Sequence, residues 1–143
     1  MQVLSLFDGM SCGQIALDKA GIQVDHYYAS EIDKYAMKVA KENYPNMTHV
    51  GDVTQVKAKS LPKIDLLIGG SPCQGFSFAG KQLNFSDPRS KLFFEYIRLL
   101  DELKPKYFLL ENVRMKQESQ DIITKYMGVD PVMINSSTVS AQN

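Results

Sequence analysis

The sequence predicts an α/β fold, a mostly parallel sheet with helices on both faces. Short apolar runs alternate along the chain with segments of helical periodicity, the pattern of βαβ units. The helical segments stop at glycines or before prolines, as capped crossover helices do. No internal repeat or low-complexity linker interrupts the alternation, and 143 residues fit one domain with a sizeable core.

In order, Val3 to Phe7 is the first strand candidate. Ala16, Leu17 and Ala20 form a helical stripe that stops at Gly21. His26 to Ile32 is the second strand, and Asp33 caps the helix carrying Ala36, Val39 and Ala40, which ends before Pro45. His49 to Val53 is a short third strand and Ile64 to Ile68 a stronger fourth. Phe93, Ile97 and Leu100 give the next helix its buried stripe, closed by Lys104-Pro105. Tyr107 to Leu110 is the fifth strand. A helix around Ile122, Ile123, Tyr126 and Met127 ends at Gly128, and Val132 to Ile134 is the sixth strand candidate. Gly75 to Ser90 is the one long irregular stretch, and loops of that length are usually functional.

Composition excludes several classes. Apolar residues make up 44% of the chain and charged residues 22%, which argues for a folded globular protein. Sixteen basic and sixteen acidic side chains cancel, so any attraction to nucleic acid must come from a local patch. No apolar run approaches the roughly 20 residues that span a bilayer, and a signal sequence is missing, so a cytoplasmic protein with no membrane partner is expected. Cys12 and Cys73 cannot make a disulfide framework and are expected as thiols. His26 and His49 lack partners at metal-ligand spacing, and no metal is expected.

In a parallel sheet the ligand lies outside the carboxyl ends of the strands. Five strands end here in chemistry-bearing residues: FDGMSCG (Phe7 to Gly13), Glu31, Gly51-Asp52-Val53, Pro72-Cys73, and ENV (Glu111 to Val113). Any one such loop is commonplace; five together are not. Gly9 and Gly13, with three residues between them, match neither the dinucleotide fingerprint nor a triphosphate loop, and a plain tight turn explains them equally well. Glu31 is placed to accept the two hydroxyls of a ribose, and Asp52 an adenine amino group. An adenosine site without a phosphate cradle suggests S-adenosylmethionine. Pro72 fixes φ just before Cys73, between glycines, which makes GGSPCQGFS a shaped loop around a thiol.

With these motifs in this order, the chain resembles the DNA cytosine-C5 methyltransferases from Met1 to its last residue. FDGMSCG, EID and GDV match the cofactor motifs, GGSPCQGFS the nucleophile motif, and ENV the motif of the catalytic glutamate. The resemblance implies a Rossmann-like S-adenosylmethionine-dependent fold, with Cys73 as nucleophile and Glu111 at N3 of the target cytosine. It implies that Phe7 and Ile32 pack on the adenine, Glu31 binds the ribose, Asp52 and Val53 meet the adenine edge, and Asp8, Gly9, Met10, Ser11, Cys12 and Gly13 line the methionine portion. The resemblance also implies that Pro72 and Leu92 close the pocket. Ser77, Lys81, Arg89, Lys91 and Arg114 surround the expected mouth, where they can meet the phosphates of double-stranded DNA.

The departure from the family is at the end. Its members continue through a Gln-x-Arg-x-Arg motif and a target-recognition domain, whereas this chain stops at Asn143, one residue after a Gln142 that can open that motif. Residues 1–143 therefore read as the amino-terminal part of a catalytic domain, with a separate carboxyl-terminal polypeptide as a conceivable partner. A non-catalytic cofactor-binding remnant and an RNA cytosine methyltransferase are the competing readings.

Overall fold

β1 (Gln2–Leu6) is the central strand of the sheet, and its last four side chains are buried. The computed structural model describes residues 1–71 and 88–140. After β1 come α1 (Cys12–Lys19), β2 (His26–Ser30), α2 (Lys34–Asn43), β3 (Thr48–His49), β4 (Leu66–Gly69), α3 (Pro88–Leu103), β5 (Tyr107–Leu110) and α4 (Gln117–Met127). All strand pairs are parallel, in the order β3-β2-β1-β4-β5. Val3 lies opposite Tyr27 on one side and Leu66 on the other. The chain thus builds outward from β1 to β3, then crosses back to β4, leaving a topological switch between β1 and β4.

Period-two alternation divides the core. Leu4, Leu6 and Leu67 pack with Val53, Val56, Ile64, Tyr96 and Leu99, the α3 face. Val3, Tyr27, Ala29, Leu66 and Ile68 form the other face, which Leu17 of α1 covers together with Val24 and Met47. α2 is tied to α1 by the Tyr44 hydroxyl, which donates to Asp18 at 3.0 Å. α4 docks on α3 through edge-to-face contacts of Tyr126 with Phe93 and Phe94, centroids 6.1 and 5.1 Å apart.

The cap expectations hold. Asp33 accepts from the amides of Tyr35 and Ala36 at the start of α2, and Gly21 (φ 70°) and Gly128 (φ 69°) turn the chain left-handed after α1 and α4. Elsewhere the structure corrects the sequence. β1 stops at Leu6 because Phe7 is left-handed, φ 57°. The third strand shrinks to two residues, since Gly51 (φ 77°) bends the chain and Asp52 caps a single 3-10 turn at Val53–Gln55. Of the α1 stripe only Leu17 reaches the core; Ala16 and Ala20 are exposed. Pro88 to Ser90, expected in the irregular stretch, begin α3. The sixth strand is absent: residues 129–135 have no regular structure and Val132 is 83% exposed. A strand exists only against a partner, and none of the described strands pairs with this segment. Among the described residues no helix is long and apolar enough to cross a membrane.

Candidate active site at the carboxyl edge of the sheet

The loops after β1, β2 and β3 are stitched together at the strand ends. The Asp8 amide donates to the Ser30 carbonyl at 3.1 Å, and the Gly9 amide to Glu31 Oε2 at 2.8 Å. Glu31 Oε1 also receives the amides of Ile32 and Asp33, at 2.8 and 2.9 Å. The Ser30 hydroxyl donates to the Gly51 carbonyl at 2.7 Å. On the other side of β1, the Glu111 amide donates to the Gly69 carbonyl at 2.8 Å. A Cβ added at Gly70 would lie 2.9 Å from Glu111 Oε2, so only a glycine lets that carboxylate lie against the backbone that leads to Cys73.

The expected cofactor residues divide into those that face outward and those that do not. Gly9 is left-handed (φ 60°) with open space where a Cβ would stand, while Met10 and Cys12 are exposed beside it. Ile32 is 72% exposed at the rim. Asp52 is exposed, one of its oxygens accepting from the Thr54 amide at 2.9 Å. Val53 is buried in the α3-side core, and Phe7 and Leu92 pack half-buried against it. Asp8 and Ser11 are buried, and both Asp8 oxygens are engaged: Oδ1 by the Tyr27 hydroxyl at 2.7 Å, Oδ2 by the Ser11 hydroxyl. Gly13 sits where α1 approaches the sheet most closely; a Cβ there would come within 2.5 Å of Ile68 Cδ1 and 3.0 Å of the Tyr27 hydroxyl. Tyr27 escaped the sequence reading, because in HYYAS the burial of one strand tyrosine over its neighbour is not marked.

Pro72, Cys73, Ser77 and Lys81 lie outside the described residues. Arg89 falls in the first turn of α3, Lys91 is exposed two residues on, and Arg114 is exposed after ENV. Glu111 is exposed at the end of β5. Beside it, the Asn112 Nδ2 and the Ser71 hydroxyl are buried without a hydrogen-bond partner among the described residues.

Glu31, Asp52 and Glu111 place three carboxyl groups along one edge, while the Asp8 carboxylate is turned inward, and among the described residues none of the four has a lysine or arginine partner. This donor set suits a cationic ligand. S-Adenosylmethionine fits: its sulfonium and ammonium are positive, Glu31 retains lone-pair capacity for a ribose after accepting three amides, and the open left-handed Gly9 leaves room for the ligand's backbone-like end.

Known proteins are similar to this chain in sequence and fold. The chain is 46% identical over 116 residues to the orphan methyltransferase M.Rho11sI of Bacillus phage rho11s, covering 80% of this chain and 23% of that protein. It is 45% identical over 116 residues to M.SPRI of Bacillus phage SPR, covering 80% and 26%. It thus spans about a quarter of the length of these curated relatives. Among solved structures, the Dnmt2 methyltransferase of S. pombe superposes with a TM-score of 0.70 at 27% identity, over 90% of this chain and 40% of that one. The five-stranded parallel sheet is accordingly that of the Rossmann-like methyltransferases. Residues 1–125 match the family model of C-5 cytosine-specific DNA methylases, and the chain belongs to that family.

Proposed function

We propose that this chain supplies the cofactor-binding and nucleophile-bearing part of a DNA cytosine-C5 methyltransferase. The observation that carries the reading is the bond from the Gly9 amide to Glu31, which joins the first two cofactor motifs across the carboxyl ends of β1 and β2. S-Adenosylmethionine, when bound, supplies an electrophilic methyl group.

The chain's own residues supply the rest. Glu31 accepts the ribose hydroxyls and Asp52 the adenine amino group, while Ile32 and Phe7 cover the ring. Cytosine C5 is a weak nucleophile, so the route is covalent. The Cys73 thiolate forms a bond to C6 as Glu111 holds the proton at N3, which concentrates electron density at C5. With the cofactor bound, C5 would take the methyl group as its bond to the sulfonium sulfur breaks; the C5 proton would then go to a base, and the electrons of that C–H bond would reform the C5–C6 double bond and expel Cys73 as thiolate. The target base must leave the stack to reach the thiol. Lys91 and Arg114 are exposed and, with Ser77, Lys81 and Arg89, are the proposed phosphate contacts.

The reading includes further protein, in this chain or in a separate carboxyl-terminal polypeptide. Among the described residues β5 is an edge strand whose Tyr107 and Leu109 are 50% and 57% exposed, and the curated relatives are about four times longer than the matched region. A carboxyl-terminal half would cover apolar surface there. Titration calorimetry with S-adenosylhomocysteine tests the cofactor site, and saturable binding is the expected result. Absence of binding to folded protein would overturn the reading.

A further inference from the structure

Beneath the exposed FDGMSCG loop lies a buried polar cluster that a packing role for Tyr27 does not require. Tyr27 is 2% exposed among Val3, Ala29, Leu66 and Ile68, surroundings that a phenylalanine would satisfy. Its hydroxyl instead donates to Asp8 Oδ1 at 2.7 Å, and the Ser11 hydroxyl donates to Asp8 Oδ2. Burial first, and then the Asp8 charge, raise the Tyr27 phenol above its ordinary range, so it stays a donor.

Ser11 is left-handed, φ 64° and ψ 37°, a conformation a serine adopts only when its surroundings impose it. It precedes α1, yet its hydroxyl makes no cap to the helix amides; only its carbonyl accepts, from Gln14 and Ile15. The hydroxyl that would have capped α1 is spent on Asp8. The loop is therefore gripped twice, from below through Asp8 and from the side through the Gly9–Glu31 bond, while Met10 and Cys12 stay exposed on its outer surface.

We propose that Tyr27 is a positioning residue: its hydroxyl orients Asp8, Asp8 holds Ser11 left-handed, and the run Gly9–Cys12 is thereby preset for the amino-acid end of S-adenosylmethionine. This rests on the cofactor reading above. Presetting matters because a loop that must order on binding gives up affinity to do so.

Two measurements separate the two ideas. The first is hydrogen exchange of the Gly9 to Gly13 amides in ligand-free protein, which needs no cofactor; the second is titration with S-adenosylhomocysteine at a temperature where every variant is folded. Tyr27→Phe is expected to speed exchange across the loop and to weaken binding about tenfold, the equivalent of about 1.4 kcal/mol. Ser11→Gly, which permits the left-handed backbone but removes the hydroxyl, is expected to do the same and stands in if Tyr27→Phe does not fold. Unchanged exchange and unchanged affinity in the folded variants, with only a lower melting temperature, would leave Tyr27 as core packing and overturn the proposal. Faster exchange in the variants, with a folded wild-type protein that binds no S-adenosylhomocysteine, would support the positioning role and sink the cofactor reading instead.

Discussion

The Gly9 amide and the Glu31 carboxylate, 2.8 Å apart, connect residues 22 positions distant in the chain across the ends of two neighbouring strands. Glu31 thus shapes the loop it is proposed to share a ligand with. Glu31→Ala should weaken S-adenosylhomocysteine binding by on the order of 1.5–3 kcal/mol, the loss of a pair of charge-assisted bonds. Glu31→Gln, which can still accept from Gly9, should lose less. Calorimetry decides, and equal affinities for wild type and the alanine variant would end the ribose assignment.

Gly70→Ala sets a methyl group 2.9 Å from Glu111 Oε2, the movable end of a side chain, so the carboxylate should yield rather than the fold. The expected outcome is a melting temperature within a few degrees of wild type and a large loss of methyl transfer in the reconstituted enzyme. A destabilised protein with full specific activity would contradict it.

Thiol labelling weighs exposure against chemistry. Cys12 is exposed, so accessibility alone favours its alkylation. A nucleophile is activated as its thiolate, and Cys73 should outpace Cys12 under brief alkylation and slow when cofactor is bound. Peptide mass mapping with and without S-adenosylhomocysteine reads both rates. Faster reaction at Cys12 would count against an activated Cys73.

Asp33 accepts two backbone amides of α2, at 2.8 and 3.0 Å. Asp33→Ala should cost about 1 kcal/mol of stability. Denaturant unfolding measures it, with no change expected in the slope of the transition.

The 143-residue chain alone should not methylate duplex DNA detectably. A flipped cytosine costs a few kcal/mol that contacts around the duplex must offset, and a chain of zero formal charge has no general attraction to phosphate. Transfer of a tritiated methyl group to mixed-sequence DNA should appear when a carboxyl-terminal half from a relative is added, and vanish with Cys73→Ser. Robust transfer by the chain alone would refute this.

Much of this was written plainly in the sequence. Five of the six expected strands form, since runs such as Leu66–Ile68 are apolar enough to be buried on both faces and lie where crossover helices deliver them. Val132 to Ile134 is as apolar, but hydropathy does not say whether a neighbour exists to pair with. Asp8 shows the same boundary at the site. Its motif marked it as a ligand contact, whereas its carboxylate turns inward to Tyr27, a partner 19 residues away that only the register of β1 and β2 brings beneath the loop. The place of Glu31 was legible for the converse reason: it follows directly from the end of β2, where its carboxylate meets the Gly9 amide.

The central position of β1 also sets an order of events. One flank of β1 is met by β2 some two dozen residues later, but the other waits for β4, whose Leu66 lies opposite Val3 across 63 intervening steps of chain. During synthesis the strand made first is completed late, with an apolar edge open until β4 has emerged. Parallel pairings of such sequence separation form slowly and leave a sticky edge in the interval. Yield in a cell should therefore depend on chaperone supply and expression temperature more than the finished sheet, sealed on both sides of β1, would suggest.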